Sequence, residues 1–166
     1  MARTSGNKPV APPPPPVGGS GLLACVQYAP SSLATYNCKS LSLIAVDTTH
    51  LTIPFTVPAS GNVLVKLSAS CNEADNGEMG MFALFTHGTS SQVGDTFAVV
   101  GYASSLLIVV TATFYITGLT PGANLQYDWA YATTSTVNGL FVYVSGHTGV
   151  TGAPFNAPAT MEVWSA

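Results

Sequence analysis

The sequence is poor in charge. Charged residues make up 7% of its 166 residues, and four Lys and Arg side chains stand against seven Asp and Glu, for a net charge of −3. Four cationic side chains are too few to form a basic stripe that could neutralise phosphates. Neither nucleic acid nor an anionic membrane surface is therefore an expected partner. Disorder of the whole chain is not expected either, because disorder goes with high charge and few aromatics. The surface must be covered by neutral polar side chains, which suits a protein packed against copies of itself or within a larger assembly, since burying neutral polar groups costs less than burying charges.

Sorting signals and cofactor motifs are also missing. The N-terminus has no apolar region of the secretory type, no apolar run reaches the length of a membrane span, and there is no Asn-x-Ser/Thr sequon. The three cysteines, Cys25, Cys38 and Cys71, form an odd number without metal-ligand spacing. Buried reduced thiols are therefore expected, with Cys25 and Cys38 as the pair to check for a disulfide, and no cofactor is predicted.

Catalytic motifs are equally scarce. No serine lies in a G-x-S-x-G motif, and no two of His50, His87 and His147 have metal-ligand spacing, so isolated surface histidines are expected. An acidic loop lacks the alternating ligand positions of a calcium loop and is interpreted as a solvated turn; its acids are Glu73, Asp75 and Glu78.

Asp128 and Glu162 fall within predicted strands and are the one acid–base pair that could flank a sugar. Each is expected instead to face solvent or to pair with one of the few cations. No enzymatic activity is predicted.

The first 21 residues form a separate unit, an extended arm. Five consecutive prolines, Pro12–Pro16, predict a polyproline II rod, and the Gly-Gly-Ser-Gly that follows Val17 predicts a hinge. A free monomer would carry this segment as a disordered tail, whereas in an assembly it would lie on a partner. We predict a partner-binding anchor formed by Pro9, Val10, Pro12, Pro13, Pro14, Pro15, Pro16 and Val17.

Residues 22–166 are predicted to form one all-β domain, organised around Leu106–Gly118. From Val110 this stretch alternates with period 2, which predicts a long strand with one buried face. The inward set is Val110, Ala112, Phe114 and Ile116, and the outward set is Thr111, Thr113, Tyr115 and Thr117.

About nine or ten such strands, separated by loops rich in Gly, Pro, Asn and Ser, predict an antiparallel jelly-roll-like β-sandwich, with an immunoglobulin-like sandwich left open. Leu51–Val57 and Val63–Ser70 are expected to pair as a hairpin, with Pro54 marking an edge or kinked strand, and Ser31–Asn37 is expected to be a loop.

Tyr127, Trp129 and Tyr131 alternate along another predicted strand. Such an aromatic face is either the inward side of the strand or the shared face of an oligomer, and the alternative is a surface that stacks on sugar rings. The structural interpretation is favoured.

Two stretches resemble a known family. The first is Phe55–Ala69, with the sequence FTVPASGNVLVKLSA. The second consists of three segments: Gly118–Leu125 (GLTPGANL), Asp128-Trp129-Ala130 and the ending Met161–Trp164. Over roughly residues 51–166 the chain resembles β-rich domains in virion proteins of tailed phages that infect actinobacteria, many of them minor tail proteins. The resemblance implies a sandwich of the kind seen in trimeric phage and tumour-necrosis-factor-like heads, and it implies no catalytic residues.

The predicted function is therefore structural. We expect a homotrimeric protein on the surface of a phage particle, made in the host cytoplasm, whose partners are copies of itself and the major capsid or tail proteins. No coiled coil, collagen repeat or β-helix shaft precedes the domain, so a capsid decoration (cement) protein anchored by its arm is favoured. The alternatives are a minor tail protein, or a host-recognition or carbohydrate-binding module of the tail.

Overall fold

The computed structural model describes residues 21–30, 34–73, 79–99, 108–137, 139–144 and 158–166. Within these ranges the chain forms β-strands and no helix that could cross a membrane. The strands are β1 (Leu22–Tyr28), β2 (Ala34–Cys38), β3 (Ile44–Ala45), β4 (Thr52–Thr56), β5 (Val63–Glu73), β6 (Gly80–Thr86), β7 (Ala98–Val99), β8 (Ile108–Ile116), β9 (Asn124–Thr133), β10 (Leu140–Val144) and β11 (Ala159–Ser165).

Sheet 1 is built around the long strand β5. One edge of β5 pairs with β8, and the other edge pairs with β11 and β10, which lie end to end. β1 and β2 then continue the sheet outside β11 and β10. All these pairings are antiparallel, so the sheet runs from β1 and β2 through β11 and β10 to β5 and β8.

Sheet 2 is built around β9 in the same way. β4 and β3 lie end to end along one edge of β9, β6 pairs with the other edge, and β7 lies beyond β6. Counting end-to-end strands as one gives eight strands in chain order, in which β1 with β2 is the first, β3 with β4 the second, and β10 with β11 the eighth. In this count sheet 1 has the order 1-8-3-6 and sheet 2 the order 2-7-4-5. This is the double-sheet arrangement of a jelly roll. The predicted all-β, jelly-roll-like antiparallel sandwich is confirmed.

Side-chain alternation places the core between the sheets. On β8, Val110, Ala112 and Phe114 are buried, whereas Thr111, Thr113 and Tyr115 are exposed, as their period-2 pattern predicted. The inward residues of β5 and β11 alternate in the same way, including Val63, Val65 and Leu67.

The predicted hairpin between residues 51–57 and 63–70 is wrong. β4 pairs with β9 in sheet 2, and β5 pairs with β8 in sheet 1. The intervening turn crosses between the sheets instead, beside the turn between β8 and β9: Leu119 N donates to Gly61 O at 2.9 Å, and Val57 N donates to Ala123 O at 2.9 Å. Gly61 has φ +69° and a Cβ there would lie 2.7 Å from Leu119 O, so this corner requires glycine.

Smaller differences concern short strands. The predicted loop Ser31–Asn37 contains most of β2, because Ala34, Tyr36 and Cys38 alternate toward the core; residues 31–33 lie outside the described residues. β3 and β7 each have two residues, fewer than the apolar runs around them suggested.

Candidate assembly surface

An apolar row crosses the outer face of sheet 1. Cross-strand pairing sets Tyr115 beside Leu64, Leu64 beside Trp164, and Trp164 beside Leu22, which places one residue on each of four strands. Tyr115 is 62% exposed and Leu22 50%, while Leu64 and Trp164 are half-buried. With strands about 4.8 Å apart, the row is about 14 Å long. It is a continuous apolar strip on the solvent side of the sandwich.

The next two rows of cross-strand neighbours beside the apolar row are polar and carry no net charge. Lys66 and Glu162 face each other across β5 and β11 with Nζ and Oε2 4.0 Å apart, and Trp164 Nε1 donates to the same Oε2 at 3.0 Å. In the second of these rows, Thr111 Oγ1 donates to Ser68 Oγ at 3.3 Å. A surface ion pair of this kind contributes about 0–1 kcal/mol, but it leaves the middle of the face electrically neutral.

The edge strand β8 borders this face, and its own sequence lacks the side chains that protect an edge from pairing. Its sequence, IVVTATFYI, has no charge and no proline, and β5 is its one partner among the described strands. Ile108 and Val109 are exposed at its start. Natural proteins usually blunt such edges with Lys, Pro or bulges, because free backbone groups template pairing with another chain.

The N-terminal arm begins beside the apolar row. Gly21 N donates to Ser165 Oγ at 3.2 Å, and Ser165 N donates to Gly21 O at 2.9 Å, which fixes the chain just before Leu22. The predicted anchor residues, Pro9 to Val17, lie outside the described residues, so their role stays a prediction.

The aromatic face of β9 is in the core. Tyr127, Trp129 and Tyr131 are 3%, 0% and 5% exposed, and Trp129 packs edge-to-face on Phe82 with ring centroids 4.7 Å apart. Burial raises the pKa of the Tyr131 hydroxyl to about 12. These side chains therefore face the opposite sheet and present no exposed aromatic face to a glycan or a second subunit.

Asp128 lies on the outer side of β9 and is fully buried, which sequence reasoning did not predict. Asp128 Oδ1 is 2.7 Å from His87 Nδ1, and Gly88 N donates to Asp128 Oδ2 at 3.1 Å. Thr52 Oγ1 lies 3.3 Å from the same His87 nitrogen and accepts a hydrogen bond from Gln126 Nε2 at 2.9 Å. His87 was expected to be isolated and Asp128 to face solvent or a Lys or Arg; their 41-residue separation leaves no signal in the sequence.

The geometry of this cluster is not that of a catalytic relay. A hydroxyl–His–carboxylate triad needs the hydroxyl and the carboxylate on opposite ring nitrogens, whereas Thr52 and Asp128 both approach Nδ1 of His87. Asp128 and Glu162 lie on the outer sides of different sheets, and sheets of a sandwich pack about 10 Å apart. The two carboxyls therefore do not flank one glycosidic bond.

A second polar cluster ties sheet 1 to the turn before β4. Tyr36 donates a short hydrogen bond to Asp47 Oδ2, His50 Nδ1 lies 2.8 Å from the same oxygen, and Thr49 N donates to Oδ1 at 2.8 Å. Tyr28 stacks on the His50 ring at 4.4 Å. Burial acts to raise the pKa of Asp47, but the hydrogen bonds from Tyr36, His50 and Thr49 outweigh it and lower that pKa to about 2. The cluster is a structural tie between β1, β2 and the β3–β4 turn.

The cysteines and metal-ligating residues form no centre in the part of the chain that the structure describes. Cys25, Cys38 and Cys71 form no disulfide; Cys38 and Cys71 are buried, but Cys25, expected to be buried, is exposed on β1. No group of three His, Cys, Asp or Glu that could hold a metal ion occurs among these residues. His147, Asp75 and Glu78 lie outside them.

Comparison with known proteins assigns no family. No family model and no curated protein matches the sequence. Among solved structures, the infectious bursal disease virus VP2 subviral particle is 10% identical with a TM-score of 0.41, over 99% of this chain and 40% of that chain. The Clostridium thermocellum xylanase 10B CBM22-1–GH10 modules, complexed with xylohexaose, are 11% identical with a TM-score of 0.37, over 84% of this chain and 28% of theirs. Broad bean stain virus is 11% identical with a TM-score of 0.30, over 95% of this chain and 88% of that chain.

This chain thus spans about 40% of the length of the first of these structures. Similarity at these levels carries no inference about function, and the resemblance to phage virion proteins stays a prediction from the sequence.

Proposed function

We propose that this protein is a structural component of a phage particle and that its subunits associate through the outer face of sheet 1. The observation that carries the association is the apolar row Leu22–Trp164–Leu64–Tyr115 on a face without net charge. The assignment to a phage particle rests on the sequence resemblance. Buried cores of protein interfaces are enriched in Tyr and Trp and depleted of charge. Burying a large apolar side chain contributes about 1.5–3 kcal/mol, so this row is a strong local driving force for association.

We further propose a homotrimer. Sheet 1 offers two different surfaces, an apolar face and the edge strand β8, and contact of one with the other is heterologous. Heterologous contacts close into rings when the rotation allows it. A ring of three also agrees with the trimeric heads that the sequence resemblance implies. The low overall charge supports association, because few charges have to be desolvated.

On the particle, we propose that the trimer is a capsid decoration protein held by residues 1–21. The arm offers apolar contacts through its prolines and Val10. As a cement, the trimer would add interface area across neighbouring capsid subunits and resist internal pressure. A minor tail protein would use the same surfaces at the tail.

Fractionated particles test this proposal. Heads and tails of purified virions are separated, and the chain is quantified in each by mass spectrometry. Hundreds of copies on heads are expected for a decoration protein, and a few copies on tails would move the proposal to the tail. Absence from both fractions would overturn it. In parallel, a chain lacking residues 1–20 should keep its oligomeric mass and lose particle binding.

A second candidate function, carbohydrate binding, is favoured by one groove. It has a volume of about 540 Å³ beside His87, and three carboxamide side chains line it: Gln92, Asn124 and Gln126. Carboxamides and imidazoles pair with sugar hydroxyls through neutral hydrogen bonds. Binding of the purified protein to host cell envelope that is lost in Gln126→Ala but kept in Thr134→Ala, an exposed control outside the groove, would favour this function.

A further inference from the structure

We propose that the groove between β8 and the segment preceding β7 binds the polyproline segment Pro12–Pro16 of a neighbouring copy. The inference rests on the proposed function, since it requires a second subunit at this face. It adds an occupant for a groove that shares Tyr115 with the outer face of sheet 1 and whose other wall, residues 93–97, lies outside that face.

The groove has the chemistry of a polyproline site. It measures about 450 Å³, and its two walls are residues 93–97 and 113–117. Phe97, 51% exposed, lies on one wall and Tyr115 on the other, and Phe114 and Ile116 also line the groove. Proline-rich rods bind in aromatic-lined grooves because they are stiff before binding and lose little entropy there.

Charge favours the arm as the occupant. Residues 1–21 carry Arg3 and Lys8 and no acid, for a net charge of +2, while the remaining two cations and seven acids give residues 22–166 a net charge of −5. Asp95 lies in the wall of the groove itself. Opposite net charges steer the two surfaces together before contact.

The path that the arm would follow indicates which subunit's groove it occupies. The arm enters at Leu22, about 14 Å across the apolar row from Tyr115 of the same chain. Residues 16–22 span at most about 20 Å when extended, so a chain could reach its own groove by lying along Trp164 and Leu64. That path would occupy the row that the proposed assembly buries between subunits. A neighbour's groove requires no such crossing, and we therefore assign the arm to the neighbouring copy.

This contact would divide the arm into two parts. Pro12–Pro16 would lie on the adjacent subunit without being needed for assembly, and residues 1–11 would extend beyond the groove by about 30 Å in a polyproline conformation. Pro9 and Val10 would then remain available for the shell of the particle.

Photo-cross-linking of the full chain tests the inference. Benzoylphenylalanine replaces Phe97, an aromatic for an aromatic, and a second protein carries it at Val99, which is exposed two residues further on and outside the groove. After irradiation, position 97 is expected to give covalent dimers on a denaturing gel, joined to a peptide that contains residues 9–17. Position 99 is expected to give little of this product.

Two further readouts separate the inference from the proposed function. Phe97→Ser should leave the mass of the assembly unchanged. In this variant the N-terminal arm should be cleaved by protease several-fold faster than the arm of the Val99→Ser variant. Arm cross-links confined to single chains, or equal yields from positions 97 and 99, would overturn the inference while a trimeric mass still upholds the proposed function. A monomeric wild-type protein would overturn both.

Discussion

The two sheets of the sandwich differ in how their outer faces are covered. On sheet 2, Ala130, Ala132 and Asp128 point away from the core yet are fully buried or nearly so. Leu43 and Ala45 pack against Ala83, Phe85 and Ala130 there, and the turn at His87 covers Asp128. On sheet 1, the corresponding outer residues include Tyr115 and Leu22, which are at least half exposed.

This difference indicates where the molecule needs a partner. Small alanines let the chain's own turns approach sheet 2 closely, so the middle of that face is covered within one subunit. Sheet 1 carries larger apolar side chains, few charges and an edge strand without protecting side chains, and its described part leaves them open to solvent. One face stabilises the fold, and we assign the other to assembly.

The two tryptophans give the sharpest version of this contrast and the largest expected effect. Trp129→Ala removes a fully buried side chain of sheet 2 and should destabilise the subunit by about 3–5 kcal/mol, or about 10 °C in Tm. Trp164→Ala, on the outer face of sheet 1, should lower Tm of the separated subunit by a few degrees at most while weakening association. Thermal unfolding and sedimentation measure both; equal losses of Tm would contradict the contrast.

The turn at His87 covers Asp128 on the outer face of sheet 2, and the stability of the fold should depend on the contact between His87 and Asp128. His87→Ala leaves the buried Asp128 carboxyl without its imidazole partner, and urea unfolding should show a loss of about 1–3 kcal/mol. Asp128→Asn in the same chain replaces that carboxyl with a carboxamide and should recover part of that loss. If the double variant is as unstable as the sum of the two single variants, the two groups are not coupled.

Acid should weaken the tie between the sheets at Asp47. The folded pKa of about 2 lies below the ordinary value of 3.8, so this carboxylate stabilises the fold above pH 4 and the contribution is lost as pH falls toward 2. The difference corresponds to about 2 kcal/mol at pH 7. Asp47→Asn should show that loss at pH 7 and approach the wild type near pH 2, measured by urea unfolding. Asp95→Asn, an exposed control, should change stability by less than about 0.5 kcal/mol; an equal effect in both would argue against the tie.

Sequence reasoning succeeded where the structure is decided locally. The alternation of residues 110–116 predicted which face of β8 is buried, and the pattern of Tyr127, Trp129 and Tyr131 marked a single face of β9. It failed where partners are chosen across the chain. β4 and β5 are separated by a good turn sequence, but their pairing was decided by burial against β9 and β8.

The candidate surface was harder to predict for the same reason. Leu64, Tyr115 and Trp164 follow one another in the sequence at intervals of about fifty residues, and only the strand register makes them neighbours. The low charge of the sequence indicated an assembly but could not locate its face.

The most direct test of the central claim is the mass of the wild-type protein in solution compared with two matched variants. Tyr115→Lys places a charge in the apolar row of sheet 1, and Val137→Lys places the same charge at an exposed valine outside it. By sedimentation equilibrium, the wild type and Val137→Lys should be trimeric and Tyr115→Lys should shift toward folded monomer. A wild-type monomer, or a Tyr115→Lys variant that assembles as well as the control, would contradict the assignment of this face to assembly.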